Sequence, residues 1–158
     1  MTTSNLKVPN STGELTVKGI IVFNDKLLLQ LRDDNPKIFY PNHWGFFGGE
    51  VESRESPSQA IRRELLEELA LVKFDAKFCF AWKSPETGSQ LLFFLIQSFQ
   101  RIETFRLQEG QDMRLFPLED LRSLRLTPDL AANLQRLELI LDASGRATNE
   151  ASGNLSPK

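Results

Sequence analysis

The chain has 158 residues, 41% of them hydrophobic and 25% charged, enough for one globular domain with a real core and too few for a second full one. Its formal net charge of -2 argues against a surface built to grip the phosphates of a nucleic acid polymer, although a small anionic ligand can still bind through metal. The opening MTTSNLKVPNSTGELTV lacks the charged start and apolar run of a secretory signal, and the longest strongly apolar stretch, LLFFLI at 91–96, is too short to span a bilayer, so a soluble, cytoplasmic protein with no membrane partner is expected.

Residues 1–13 are polar and turn-rich, and 143–158 offer almost nothing to bury, so both read as disordered tails around a folded domain of 14–142. ELTVKGIIVF and KLLLQLR are β-rich runs joined by Asn24-Asp25, residues that tolerate the positive φ of a tight turn, and they should pair as an antiparallel hairpin. DDNPKIFYPNHW carries two prolines among turn formers and reads as a long loop. Further on, KFDAKFCFAWK alternates, QLLFFLIQSFQ is a nearly continuous apolar run suited to a well-covered strand, and DMRLFP is a short strand. The single cysteine, Cys79, excludes an internal disulfide and a Cys-based zinc site, and KFCF reads as inert core packing. Thr127-Pro128 opens TPDLAANLQRLELILD, in which Leu130, Leu134, Leu137 and Leu141 form a helical stripe. The pattern as a whole predicts an α+β fold, a mixed β-sheet flanked by helices.

AIRRELLEELAL, at 60–71, crowds three glutamates into one helix. Ser56 suits the N-cap, Pro57 the first helical position, and Gln59 can close a capping box, so the helix should start near Pro57. Ile61, Leu65, Leu66 and Leu69 cover one side, while Glu64, Glu67 and Glu68 fall within about 100° of one another on the other. Glu64 and Glu68 are an i,i+4 like-charge pair, which a hard cation such as magnesium or manganese would turn from unfavourable to favourable. A solvated amphipathic helix with Arg63 paired to Glu67 explains the same twelve residues. The preceding GFFGGEVESRE adds weight to a site, because a loop through Gly48-Gly49 could bring backbone and a fourth carboxylate, Glu55, beside the acidic face.

From Gly49 to Leu71 the residues resemble the Nudix box. Gly49, Glu55, Arg63, Glu64, Leu65, Glu67, Glu68 and Leu71 stand at its spacings, and only its second glycine is replaced, by Ala70. The hairpin before the box and the strands and helix after it are similar to the family's α/β/α sandwich. The resemblance implies a Mg²⁺- or Mn²⁺-dependent hydrolase that cleaves the phosphoanhydride bond of a nucleoside diphosphate linked to a further group. It implies that Glu64, Glu67 and Glu68, with Glu55 nearby, hold the metal and that Arg63 orients them. Glu64 is the first choice as general base. Glu109 is the second, because LQEGQDMRLFPLEDL resembles the segment where mutator-type members place an additional glutamate; Glu109-Gly110 reads equally well as a turn.

Substrate residues are less sharply marked. Arg32 sits where relatives often carry a basic phosphate contact, and a strand-end arginine in water fits as well. Gly48 and Gly49 are the expected backbone contacts. Phe39, Tyr40 or Trp44 could stack on a nucleobase or simply pack, and His43 has no partner at ligand spacing. Pro85 lies near a proline of some ADP-ribose-hydrolysing members, though SPETG is most simply a turn. A small-molecule nucleotide is therefore the expected partner, most weight falling on nucleoside di- or triphosphates, with ADP-ribose or nucleotide sugars behind them. A Nudix-fold binding module without catalysis is the alternative of another class, and the resemblance leaves a homodimer open.

Overall fold

The computed structural model describes the backbone of residues 14–154 and the side chains of 14–144. Seven strands run in the order β1 (Leu15–Phe23), β2 (Lys26–Leu31), β3 (Trp44–Gly45), β4 (Phe47–Glu50), β5 (Phe74–Lys83), β6 (Gln90–Ser98) and β7 (Asp112–Pro117). Helix α1 (Pro57–Leu69) follows β4, and α2 (Pro128–Ala132) and α3 (Leu134–Asn154) follow β7. The sheet order is β3-β2-β1-β6-β5, with β4 also on β1 and β7 also on β2. The β1–β6 pair is parallel and the others are antiparallel, so the sheet is mixed.

The hairpin turn is as its residues require, with Asn24 and Asp25 both at positive φ between Phe23 and Lys26. Strand β1 leaves β2 after that end and pairs with β4 from Thr16 to Gly19, which makes it the spine between two half-sheets. Alternation then sorts side chains to two faces. Val17, Ile21, Phe47 and Phe94 join Ile61, Leu65 and Leu69 of α1 in one core cluster, while Ile20, Phe46 and Phe93 join Leu130, Leu137 and Leu141 in the other. This is the helix–sheet–helix sandwich expected.

Several details differ from the sequence reading. Gly48-Gly49 lies in β4, paired with Lys18 and Val17, rather than in a loop. The last helix breaks at Asn133, whose side-chain amide donates to the Asp129 carbonyl at 2.6 Å. It then continues to Asn154, so 143–154 are helical where a tail is expected; Ala143, Ala147, Glu150 and Ala151 favour helix without an apolar stripe to bury. Residues 1–13 and 155–158, the remainder of both expected tails, lie outside the described residues. Cys79 is half-buried at a bulge in the edge strand β5, not in the core, and burial raises its thiol pKa. Among the described residues no helix is long and apolar enough to cross a membrane.

Ala70 ends α1 in the left-handed region, at φ 56 and ψ 30, and the Leu71 N–H then reaches back to the Leu65 carbonyl at 3.2 Å. An alanine there carries about 1–2 kcal/mol of strain that glycine would not. Ala70→Gly is therefore expected to raise the melting temperature by a few degrees, less whatever the extra freedom of glycine in the unfolded chain removes. A clear fall in thermal denaturation would mean that the methyl group has a packing role of its own.

Candidate active site

Helix α1 begins with the expected capping box, Gln59 N–H to Ser56 Oγ at 3.1 Å and Ser56 N–H to Gln59 Oε1 at 2.8 Å. That start sets the phase of the helix. Glu64 and Glu68 come to lie one turn apart at the edge of its buried face, 9% and 5% exposed, while Leu66, expected on the apolar side, turns out to water. Two carboxylates fit there because β4 presents no side chains to them. A Cβ on Gly49 would overlap the Glu64 carboxylate, and the Gly48 N–H donates to Glu68 Oε1 at 3.0 Å.

Arg63 organises the outer part of the cluster. Its guanidinium donates to both oxygens of Glu55, Nε to Oε2 at 2.7 Å and Nη2 to Oε1 at 3.0 Å. Its Nη1 donates to Glu67 Oε1 at 3.0 Å and Glu64 Oε2 at 3.3 Å, and Nη2 also reaches the Glu50 carbonyl at 2.9 Å. These bonds hold Glu55 below the usual carboxylate range, Arg63 first and the Glu52 N–H second. Glu55 and Glu67 thus face the arginine rather than the cleft. Sequence reading expects Glu67 on the metal and Glu55 nearby; here Glu55 meets the guanidinium through both its oxygens and Glu67 through one.

Glu109 joins the site through long-range bonds. The chain after Phe105 runs back along the end of α1, with Arg106 N–H on the Leu69 carbonyl at 2.8 Å and Gln108 N–H on the Glu68 carbonyl at 2.9 Å. The Gln108 side chain also caps the carbonyls of Leu66 and Glu67. Gln30 then donates to the Glu109 carbonyl at 2.9 Å, and Gly110 turns the chain at φ 95, where a Cβ would meet Gln30 and Leu31. The Glu109 carboxyl is left against Glu68. Burial first, then the hydrogen bond and charge of Glu109 and the charge of Glu64, push the Glu68 carboxyl up to about 9, with Lys18 opposing. Burial also raises Glu64, against the pull of Arg63.

Glu64, Glu68 and Glu109 border a cleft of about 410 Å³, together with Gly48, Gly49, Lys18 and Arg32. Arg32 is partly engaged: its Nε donates to the Phe39 carbonyl at 2.8 Å, anchoring the 33–43 loop. Asn42 on Asp34 and Gln111 on Asn42 and on the Arg32 carbonyl hold the rest of that loop. Phe39 and Tyr40 stand at the cleft, whereas Trp44 does not. Trp44 is core: it lies in β3 beside Leu31, 9% exposed, edge-on to Phe116 at 4.8 Å. His43 stays in the loop, its Nδ1 on the Pro41 carbonyl. Pro85 serves a turn in which the Thr87 N–H donates to Ser84 Oγ.

Sequence reading misses Lys18, Thr127 and Asp129 on the cleft wall. A lysine inside the apolar run LTVKGIIVF is a signal that could have found the first; Thr-Pro-Asp looks like nothing but a helix start. Among the described residues no three His, Cys, Asp or Glu side chains already close into a coordination shell. A second groove, about 860 Å³, lies beside the β1–β2 turn and α3, where Lys26 and Arg122 are outnumbered by Asp25, Glu119, Glu138 and Asp142.

The family model described as NUDIX domain matches residues 15–137. Three similar solved structures are the MutT NUDIX hydrolase from Burkholderia pseudomallei, the E. coli ORF135 protein and the NUDIX domain of Shewanella oneidensis NrtR complexed with ADP ribose. The first is 22% identical over 77% of this chain and 95% of that chain, with a TM-score of 0.66. The second is 26% identical over 83% and 91%, with a TM-score of 0.62. The third is 22% identical over 80% and 87%, with a TM-score of 0.64. No curated protein gives a significant match. Likeness at such identities speaks for the fold.

Proposed function

Because the chain belongs to the NUDIX family, which its match over residues 15–137 shows, we propose that it is a divalent-metal-dependent hydrolase of a nucleoside diphosphate linked to a further group, with nucleoside di- and triphosphates as leading substrates. The observation that carries this reading is the convergence of Glu64, Glu68 and Glu109 on one glycine-lined end of a cleft. Glu109 and Glu64 add to the cost of charge on the buried Glu68, an arrangement that suits a hard divalent cation, and oxygen donors favour Mg²⁺ or Mn²⁺. Glu64 and Glu68 would hold it, with Glu67 reached by release from Arg63. When bound there, the ion neutralises phosphate oxygens and lowers the pKa of water.

The chain's own groups do the rest. Lys18 and Arg32, the cations on the cleft wall, attract and orient the anionic phosphates. The bare Gly48-Gly49 backbone makes room for the Glu64 carboxylate and donates to Glu68, which keeps both at the cleft. Arg63 holds Glu55 and Glu64 in place without entering the cleft. Either Glu64 or Glu109 can take the proton from the attacking water, both being at the cleft. Ala70 does not argue for a non-catalytic module, because it takes the helix-ending conformation that glycine would take.

Incubation with Mg²⁺ and a nucleotide panel, with products separated chromatographically, tests the reading. Turnover that chelation abolishes supports it, and metal-independent binding without turnover would establish the module instead. For Glu109 the expected result is that Glu109→Gln lowers kcat by about 10²–10⁴-fold at saturating Mg²⁺ with an unchanged melting temperature, since neither base nor ligand survives loss of the charge. Wild-type rates in that variant would return Glu109 to the role of a turn residue.

A further inference from the structure

Strand β5 ends the sheet: among the described residues its one neighbour is β6. An edge strand offers unpaired backbone groups, and the phase of its ladder decides which residues hold them. The Phe99 N–H donates to the Lys73 carbonyl at 2.8 Å, and these two residues face each other in the register that pairs Phe74 with Ser98. Alternation then turns the backbone groups of Asp75 and Lys77 toward β6, and those of Phe74, Ala76 and Phe78 toward the open edge. The open stretch is short. Phe78 is followed by the bulge at Cys79, and beyond it the Ala81 carbonyl already accepts from Arg136 of α3 at 3.3 Å. On the α1 face Phe78 is 52% exposed, whereas Phe74, four residues back, is core with Arg62 4.7 Å above its ring. Asp75 and Lys77, on the other face, are both exposed. Helix α1 packs over β4 and β1, away from this edge.

From this pattern we infer that a second copy of the chain docks on β5, antiparallel, about a two-fold axis through Ala76. The register sets Phe74 opposite Phe78 of the second copy, Ala76 opposite Ala76, and Asp75 opposite Lys77. Symmetry makes each unlike pair occur twice. Phe74, Ala76 and Phe78 fall at hydrogen-bonded positions, as their outward backbone groups require, while Asp75 and Lys77 fall at the closer, non-bonded positions where opposite charges interact best. Neighbouring registers fail. Moving the axis by one residue sets Asp75 against Asp75 or Lys77 against Lys77, a like-charge pair at the same close spacing. Lys77 alone would guard the edge against any strand, so the matching acid two residues away on the same face leaves the edge one fitting partner, itself. The pairing brings the exposed Phe78 ring beside Phe74 of the other copy, and it closes at two because it uses the same open edge of both. So short a ladder implies a weak dimer, with a Kd of about 10–100 μM.

The test is sedimentation velocity of the full chain from about 1 to 300 μM, over which the monomer fraction should fall. Lys77→Asp and Asp75→Lys each set two like-charge pairs across the axis, and each should raise Kd by about tenfold or more. The double variant restores opposite charges with their signs exchanged, so its Kd should return to within about threefold of wild type. An edge that merely faces water would show no such rescue. Ala76→Cys, in a chain with Cys79 replaced by serine, should give a disulfide-linked dimer on mild oxidation, because hydrogen-bonded partners bring their Cα atoms to about 5.5 Å. A chain that stays monomeric across the whole range overturns the dimer. So does association indifferent to both single reversals, a double variant no tighter than the single ones, or a dimer that Ala76→Cys does not cross-link. Where a charge variant fails to fold, wild-type association and the cross-link at Ala76 decide. Neither Asp75 nor Lys77 lines the cleft, so these outcomes stand apart from the hydrolase reading.

Discussion

Glu68→Gln is expected to abolish most hydrolysis while making the metal-free protein more stable. Glu68 is 5% exposed, and its carboxyl is pushed up to about 9 by burial and by Glu109 and Glu64. A carboxyl whose folded pKa lies above its unfolded value stabilises fully only at pH below the unfolded pKa. That contribution is lost as pH rises toward the folded one. The metal-free protein should therefore weaken between about pH 4.5 and pH 9, by on the order of 1 kcal/mol per unit for this group. Mn²⁺ or Mg²⁺ competes with the proton, so the metal-induced rise in melting temperature should grow over the same window.

Glutamine in place of Glu68 cannot ionise and can still accept from the Gly48 N–H. The pH dependence should flatten, the metal shift should shrink, and turnover should fall by about 10²-fold or more for loss of a charged ligand. Glu67→Gln differs, because Glu67 is exposed and paired with Arg63. Its metal-free stability should barely move, as expected for a surface ion pair, while turnover still falls if the side chain swings to the metal. Wild-type turnover and wild-type metal shifts in both variants would show that these glutamates merely face water and protein.

How far the sequence carries depends on the range of the forces involved. The hairpin at Asn24-Asp25 and the capped start of α1 at Ser56 are decided within four residues, by φ preference and one reciprocal pair of bonds, and both are legible. The box glutamates are legible because their spacing is short. Their division of labour is not: whether Glu64 faces the cleft or Glu67 faces Arg63 depends on which helix edge meets the bare backbone of β4, a contact across twenty residues. Glu109 is further removed, placed by Gln30 at a separation of 79 residues. Trp44 misleads for a related reason. A tryptophan in an aromatic loop suits stacking on a ligand, and only the pairing of β3 with β2 and the approach of Phe116 show that its surface is already taken. Asp129 leaves no local trace, since Pro-Asp opens a helix whether or not the carboxylate has anything to bind.

Gly48 is where fold and site meet most tightly, and Gly48→Ala is expected to cost roughly 3 kcal/mol or more, a large share of the stability of an ordinary domain. Two penalties add. Its φ of 148 lies where a Cβ is strained, and that Cβ would overlap the Val17 carbonyl of the neighbouring strand. The obstacle is backbone in register with β4, so no rotamer change relieves it; either β4 lifts from β1 or the pairing of Lys18 with Gly48 opens. Lifting β4 also withdraws the N–H that Glu68 accepts. Gly49→Ala is the matched control, because the atoms nearest its Cβ would be the end of the Glu64 side chain, at a φ open to any residue. Gly49→Ala should fold with a melting temperature near wild type and lose activity as Glu64 is displaced, whereas Gly48→Ala should melt about 10 °C lower. Equal melting temperatures for the two variants would mean that the sheet yields at Gly48 as readily as a side chain yields at Gly49, and the rigid β1–β4 edge would no longer account for how the carboxylates are held.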